Sequence, residues 1–272
     1  MPEYLAPGVY LEETSFRSKS IEGVSTSTTA FVGLARKGPV IADDPEDSDT
    51  PELITSFVDF ERIFGGFANL NFAATAASRN YLAHAVNAYF ANGGSRLYVA
   101  RVTGGKPEPA SAKFLTDKTF TARFPGTAGN GRIVFSLGFA PIGDRMWTNA
   151  PKGTVVRSKD KFQVKKTDAD KLPAEAQLVT LNIAAYDADK RASIYENLGL
   201  DSNHPRYVGK ILAVKPSRRR DAMENLFALQ GTIDGAKWAE ELAKTTNEVF
   251  KLIPDVPDTP ERIERQLFLT GG

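Results

Sequence analysis

Thr28-Thr29-Ala30-Phe31-Val32-Gly33, then Phe57-Val58-Asp59-Phe60-Glu61-Arg62-Ile63-Phe64-Gly65-Gly66, then a helical stretch closing on Ala91-Asn92-Gly93-Gly94, then Leu97-Tyr98-Val99-Ala100-Arg101-Val102: this order of segments decides the fold. The first segment is β-branched and apolar and reads as a buried strand. Ser56, with Asp59 three residues on, has the pattern of a capping box. Phe57, Phe60, Ile63 and Phe64 then fall on one helical face. A second helix is predicted over 73–91, with Leu82, Val86 and Tyr89 on one side and Ala85 and Phe90 flanking. Gly65-Gly66 and Asn92-Gly93-Gly94 supply the two helix stops. Residues 97–102 return as a strand. A strand–helix–helix–strand path of this length predicts a parallel pair of strands joined by a right-handed crossover.

Working outward, residues 1–24 do not read as part of a compact domain. Pro2 and Pro7 oppose helix, Gly8 marks a bend, and Val9-Tyr10-Leu11-Glu12 alternates as a short strand. A polar stretch, Thr14 to Ser20, then tethers it. Such a segment is either a frayed terminus or an arm that docks elsewhere. On the other side, Gly104 to Pro109 reads as a hinge-like linker. Short strands follow at 120–124, 131–137, 153–156, 162–164 and 178–183 between Gly, Pro and Asn turns, which predicts a mostly antiparallel domain. Helices are expected around 187–198, 219–230 and 236–252. In the last, Trp238, Leu242, Val249 and Leu252 face inward and Lys237, Glu241, Lys244 and Glu248 face out. The fold class expected is therefore α/β joined to α+β. Its parts are an arm (1–24), half of an α/β core (25–105), an inserted α+β domain (106–255) and a return segment (256–272).

Composition excludes several function classes. The 272 residues carry no cysteine, so disulfides, thiolate metal sites and cysteine nucleophiles are absent together. A formal net charge of +1 lacks the strongly basic footprint of a nucleic-acid binder. No signal-peptide pattern opens the chain, and no run of about 18 apolar residues predicts a membrane span. Neither glycine pair belongs to a phosphate-binding loop, because both follow helices instead of preceding them. His84 lies inside a helix without a ligating partner at i+3 or i+4, and His204 sits in a turn. The acidic loop 43–49 contains Pro45 and lacks the glycine and closing glutamate of a calcium loop, so it reads as solvated. Arg218-Arg219-Arg220 is followed by Asp221 and Glu224 and reads as an exposed helix start or a protein contact. No catalytic, cofactor or metal site is expected, and the chain does not read as an enzyme.

In this order the segments from 4 to 102 resemble the start of contractile tail sheath proteins, which build the shortening outer cylinder of phage tails and related injection machines. Phe120-Thr121-Ala122-Arg123-Phe124-Pro125-Gly126-Thr127-Ala128-Gly129-Asn130-Gly131 is similar to a further segment of that family, with Ala128 where a Trp is common. Tyr195-Glu196-Asn197-Leu198-Gly199-Leu200-Asp201 and His204-Pro205-Arg206-Tyr207-Val208 also resemble it. The resemblance implies hexameric rings stacked helically around an inner tube, contraction from a metastable lattice without ATP, and an outward-projecting insertion at 106–255. It implies that Tyr4, Leu5, Gly8, Val9, Tyr10, Leu11, Glu12 and Glu13 form an inter-subunit strand, an instance of β-augmentation. The residues carrying the core signature are Phe31, Val32, Gly33, Phe60, Phe64, Gly65, Asn92, Gly93, Gly94, Tyr98 and Val99. Implied partners are other copies of the chain, the inner tube protein, and baseplate and terminator proteins, with no nucleic acid and no membrane insertion. The implied location is the bacterial cytoplasm during assembly, then a virion or an injection particle. Family members usually continue into a C-terminal domain beyond the point where this sequence stops. Two readings stay open there, a piece of a longer chain or a shortened sheath-like paralogue. The alternative function is a non-contractile adaptor or baseplate component.

Overall fold

The computed structural model describes residues 28–40, 51–70, 78–105, 108–115, 118–244 and 248–272. The expected arm, 1–24, and the acidic loop, 43–49, lie outside the described residues. The whole is mixed α+β with mostly antiparallel sheets, and six α-helices are found among the described residues.

The first part holds β1 (Thr28–Gly33), β2 (Glu52–Ile54), α1 (Phe57–Phe64), α2 (Tyr81–Ala91) and β3 (Arg96–Arg101). Strand β3 is central, parallel to β1 and antiparallel to β2. The parallel β1–β3 pair is the one the crossover length predicts; β2 was not expected. Helix α1 begins where the sequence places it, with Ser56 Oγ accepting the Asp59 N–H at 3.1 Å. Only half of the capping box forms, because the Asp59 carboxylate accepts from Thr55 and Arg62 instead of reaching back. Gly65 closes α1 at φ 91°, and Gly93 follows α2 at φ 86°, left-handed positions that favour glycine. Phe60, Ile63 and Phe64 meet Leu82, Val86, Leu97 and Val99 in one apolar cluster. Helix α2 is shorter than expected: it starts at Tyr81, where Asn80 Oδ1 caps the Ala83 N–H and its amide donates to Gly66 O.

The second part holds β4 (Ser111–Phe114), β5 (Lys118–Ala122), β6 (Arg132–Pro141), α3 (Asp144–Asn149), β7 (Val155–Ser158), β8 (Lys161–Val164), β9 (Gln177–Tyr186) and β10 (Ala192–Leu198). It continues with α4 (Val208–Ile211), α5 (Arg219–Glu224), β11 (Phe227–Gln230), α6 (Gly235–Ala243), β12 (Lys251–Leu252) and β13 (Arg262–Phe268). Seven strands form one antiparallel sheet in the order β12-β13-β6-β9-β7-β8, with β10 also on β9. A small antiparallel sheet, β11-β5-β4, and helix α6 cover its inner face. Trp238 of α6 stands among Phe114, Phe120 and Phe135, with ring centroids 5.7, 6.4 and 5.8 Å from its own.

Four expectations for this part need correction. Residues 187–198 are not a helix: a turn leads into β10, because pairing with β9 satisfies the backbone of 192–198. The expected helix 219–230 ends at Glu224. Phe227, Ala228 and Leu229 then form a buried strand on β5. The expected helix 236–252 ends at Ala243; Trp238 and Leu242 are buried, but Leu252 lies in β12 and is half exposed. Residues 256–272 include β13, which pairs along its whole length with β6 and so lies within the sheet of the second part. Ile263 and Leu267 belong to the same core as Trp238.

Candidate assembly interface

The signature residues come together in the first part and divide between the two faces of its sheet. Register alone sets the division: Thr29, Phe31 and Gly33 align with Leu97, Val99 and Arg101, while Ala30 and Val32 align with Tyr98 and Ala100. The first set faces the helices. Phe31 meets the Tyr89 ring edge-on at 5.9 Å, and Gly33 packs against Leu82. Gly94 lies so close to the Tyr89 ring that a Cβ would stand 2.3 Å from it, so a side chain there would displace the ring. Phe60, Phe64 and Val99 are buried beneath, and Gly65 and Asn92 close the two helices.

No described helix covers the second set, in which Ala100 is buried and the other residues are partly or largely open. Val32 is 69% exposed, Ala30 is exposed, and Leu53 and Tyr98 are half-buried beside them. Strand β1 was read from sequence as buried; it is an edge strand in which no residue is fully buried. Its outer edge carries backbone groups that no described strand pairs, directly after the segment expected as an arm. Unpaired edges of this kind template pairing with another chain. The arm residues Tyr4, Leu5, Gly8, Val9, Tyr10, Leu11, Glu12 and Glu13 lie outside the described residues.

Arg101 ends β3 at the junction of the two parts. Among the described residues its buried guanidinium has no carboxylate partner, and it donates to Ala35 O, Gly38 O and Pro125 O at 3.2, 2.7 and 3.0 Å. Burial pushes its pKa down to about 10, still well above neutrality. Neutral carbonyls from both parts therefore converge on one cation, a junction the sequence did not signal.

Two further features were weighed as chemical sites. A cavity of about 550 Å³ opens beside α3 and the ends of β9 and β10, lined among others by Ile142, Met146, Val155, Leu178, Leu200 and His204. Burial holds the His204 imidazole below its usual pKa, and its Nδ1 accepts the Arg206 N–H in the turn foreseen from sequence. Lys165 is buried and donates to the carbonyls of Trp147, Thr148 and Ala150, closing the C-terminal end of α3. Both roles are structural. His84 is exposed on α2 against the Phe67 ring. Arg219 and Arg220, from the basic run, pair with Glu52 and Glu224. Among the described residues no group of three His, Asp or Glu side chains is arranged to hold a metal, and no helix is long and apolar enough to cross a membrane. Compared with protein-family models and with curated proteins, the chain matched none.

Proposed function

We propose that this chain is a structural subunit of a contractile sheath, assembling with copies of itself into stacked hexameric rings around an inner tube, and that it is not an enzyme. The observation that carries the reading is the sheet face of Ala30, Val32, Leu53 and Tyr98, which no described helix covers, next to a β1 edge that no described strand pairs. A two-layer unit that leaves apolar strand residues in water is suited to burial against a neighbour. The edge gives a second copy a place to add a strand. The sequence resemblance over 4–102 names the lattice in which such burial occurs. Partners in this reading are further copies, the inner tube protein, and baseplate and terminator proteins.

The test is co-expression of the full gene product with its tube protein, followed by negative-stain microscopy. Stacked rings are expected. Deleting residues 1–20 should leave a folded protein that forms no stable sheath. Rings that never stack would favour the adaptor or baseplate reading, and the absence of any ring would overturn the sheath reading. Normal contractile particles from the deletion would overturn the role given to the arm.

A further inference from the structure

The two apolar cores share no residue, and ion pairs are prominent in the contact between them. From the larger part, the side chain packed against the small core is Met223. Five ion pairs cross the seam among the described residues: Arg36–Asp189, Lys37–Asp187, Arg191–Glu61, Arg62–Glu224 and Arg219–Glu52. Three of them rise from one turn, 187–191, between β9 and β10. Arg36 grips Asp189 with Nε and a terminal nitrogen, the fork geometry that makes an arginine–carboxylate pair strong. Asp187 Oδ1 holds the turn by accepting the N–H groups of Asp189 and Arg191, each at 2.9 Å.

The seam is closed without being close-packed. A cavity of about 250 Å³ lies in it, lined by charged Lys37, Asp187 and Arg191 and by apolar Ile63, Met223 and Phe227, among others. Lys37 and Asp187 stand 4.0 Å apart, and the buried Asp187 Oδ2 has no hydrogen-bond donor among the described residues. Burial, with Arg191 nearby, holds the Lys37 ammonium below the usual lysine pKa. Desolvated charges paired this loosely regain hydration when the seam opens, so the closed arrangement is marginal. Ion pairs near a surface are also screened by salt, whereas apolar cores are not. The chain connecting the parts, through exposed Val102, Gly104 and Gly105, has the composition of a hinge.

We infer that the 187–191 turn is an ionic latch: it fixes the orientation of the two parts, and screening or neutralising it lets them swing about Arg101 and residues 102–105 with both cores intact. This inference stands apart from the sheath reading, since it concerns one chain alone.

The absence of cysteine permits a clean test. Val58 on α1 and Glu240 on α6 are exposed, so Val58→Cys and Glu240→Cys accept a dye pair, one on each part. Single-molecule energy transfer on the monomer should give one narrow population at about 0.05 M salt and a shifted or broadened one at about 1 M, where the screening length falls to ~3 Å. Asp187→Asn with Asp189→Asn should produce that shift at low salt, with tryptophan fluorescence unchanged. Arg36→Asp should do the same, and Arg36→Asp combined with Asp189→Arg should restore the low-salt value. A distribution indifferent to salt and to the double neutralisation overturns the latch. If the neutralised protein does not fold, the charge exchange decides, and failure to restore the narrow population overturns it equally.

Discussion

The two sheets differ most in the faces they turn to water. The seven-stranded sheet buries Ile133, Phe135, Leu137, Leu181 and Ile183 on one side and turns Arg132, Ser136, Thr180, Asn182 and Glu264 to the other. That is the alternation expected of an antiparallel sheet whose second face is solvated. The three-stranded sheet buries Ile54, Leu97 and Val99 under its helices but turns Ala30, Val32, Leu53 and Tyr98 outward. One sheet turns out a largely polar face, with Ile194 exposed on it beside Ala184 and Val134. The other keeps the composition of a sheet covered on both faces, which is why assembly is proposed there.

The comparison breaks if the two parts do not stand on separate cores, and the largest expected effect tests the larger one. Trp238→Ala should destabilise the second part by about 3–5 kcal/mol, since it empties the centre of an aromatic cluster. Chemical denaturation followed by Trp147 fluorescence measures it. The buried Trp238 indole N–H has no acceptor among the described residues. Trp238→Phe should therefore cost much less than the alanine change. Phe60→Ala should cost about 2–4 kcal/mol in the first part, from the same loss of buried area with fewer ring neighbours. Both tryptophans, Trp147 and Trp238, lie in the second part. In Phe60→Ala, the far-ultraviolet circular dichroism transition should move while the tryptophan transition stays. A joint shift of both signals would show one cooperative unit.

The same contrast explains what the sequence revealed. Helix α1 was legible because its cap, its apolar face and its stop are all local, as Ser56, Phe60 and Gly65 show. Strands β6 and β9 were legible as runs at 131–137 and 178–183 between turn residues, though each extends to ten residues. Ala192-Ser193-Ile194-Tyr195-Glu196-Asn197-Leu198 mixes helix and strand formers, and its partner β9 decides the outcome through backbone pairing. The two-residue strand β12 and the three-residue strand β2 carry no period at all. At the candidate interface, the apolar run 28–33 showed that a strand would form. Its edge position depends on β2 taking the far side of β3, which no local pattern encodes.

A smaller effect concerns pH at the seam. Hydrogen bonding from Arg36 is the main cause holding the Asp189 carboxyl below its ordinary value of 3.8. A depressed carboxylate contributes stability above its unfolded pKa and loses it as pH falls through the folded one. The dye-pair distance should therefore hold from neutrality to about pH 4 and change only below it. Because Asp189 is largely solvated, the change should be modest and should shrink further in high salt. Opening that begins near pH 6 would point to a histidine and away from this pair.

The smallest effect on stability sharpens the comparison most. Val32→Lys places a charge on a site that already faces water, so the fold should change by no more than about 0.5 kcal/mol. Ser136→Lys, on the solvated face of the large sheet, is the matched control. Its Oγ already accepts from Arg262, so a nearby cation is the one feature that control must tolerate. Both variants should melt as the parent does. If the outer face of the small sheet is buried against a neighbouring copy, Val32→Lys should abolish ring formation in negative-stain images and Ser136→Lys should not, because an unpaired ammonium cannot be taken into an apolar contact without a large desolvation cost. Equal assembly by both would mean that the exposed face is solvated in the particle as well, leaving the β1 edge, and not the face, to hold the copies together.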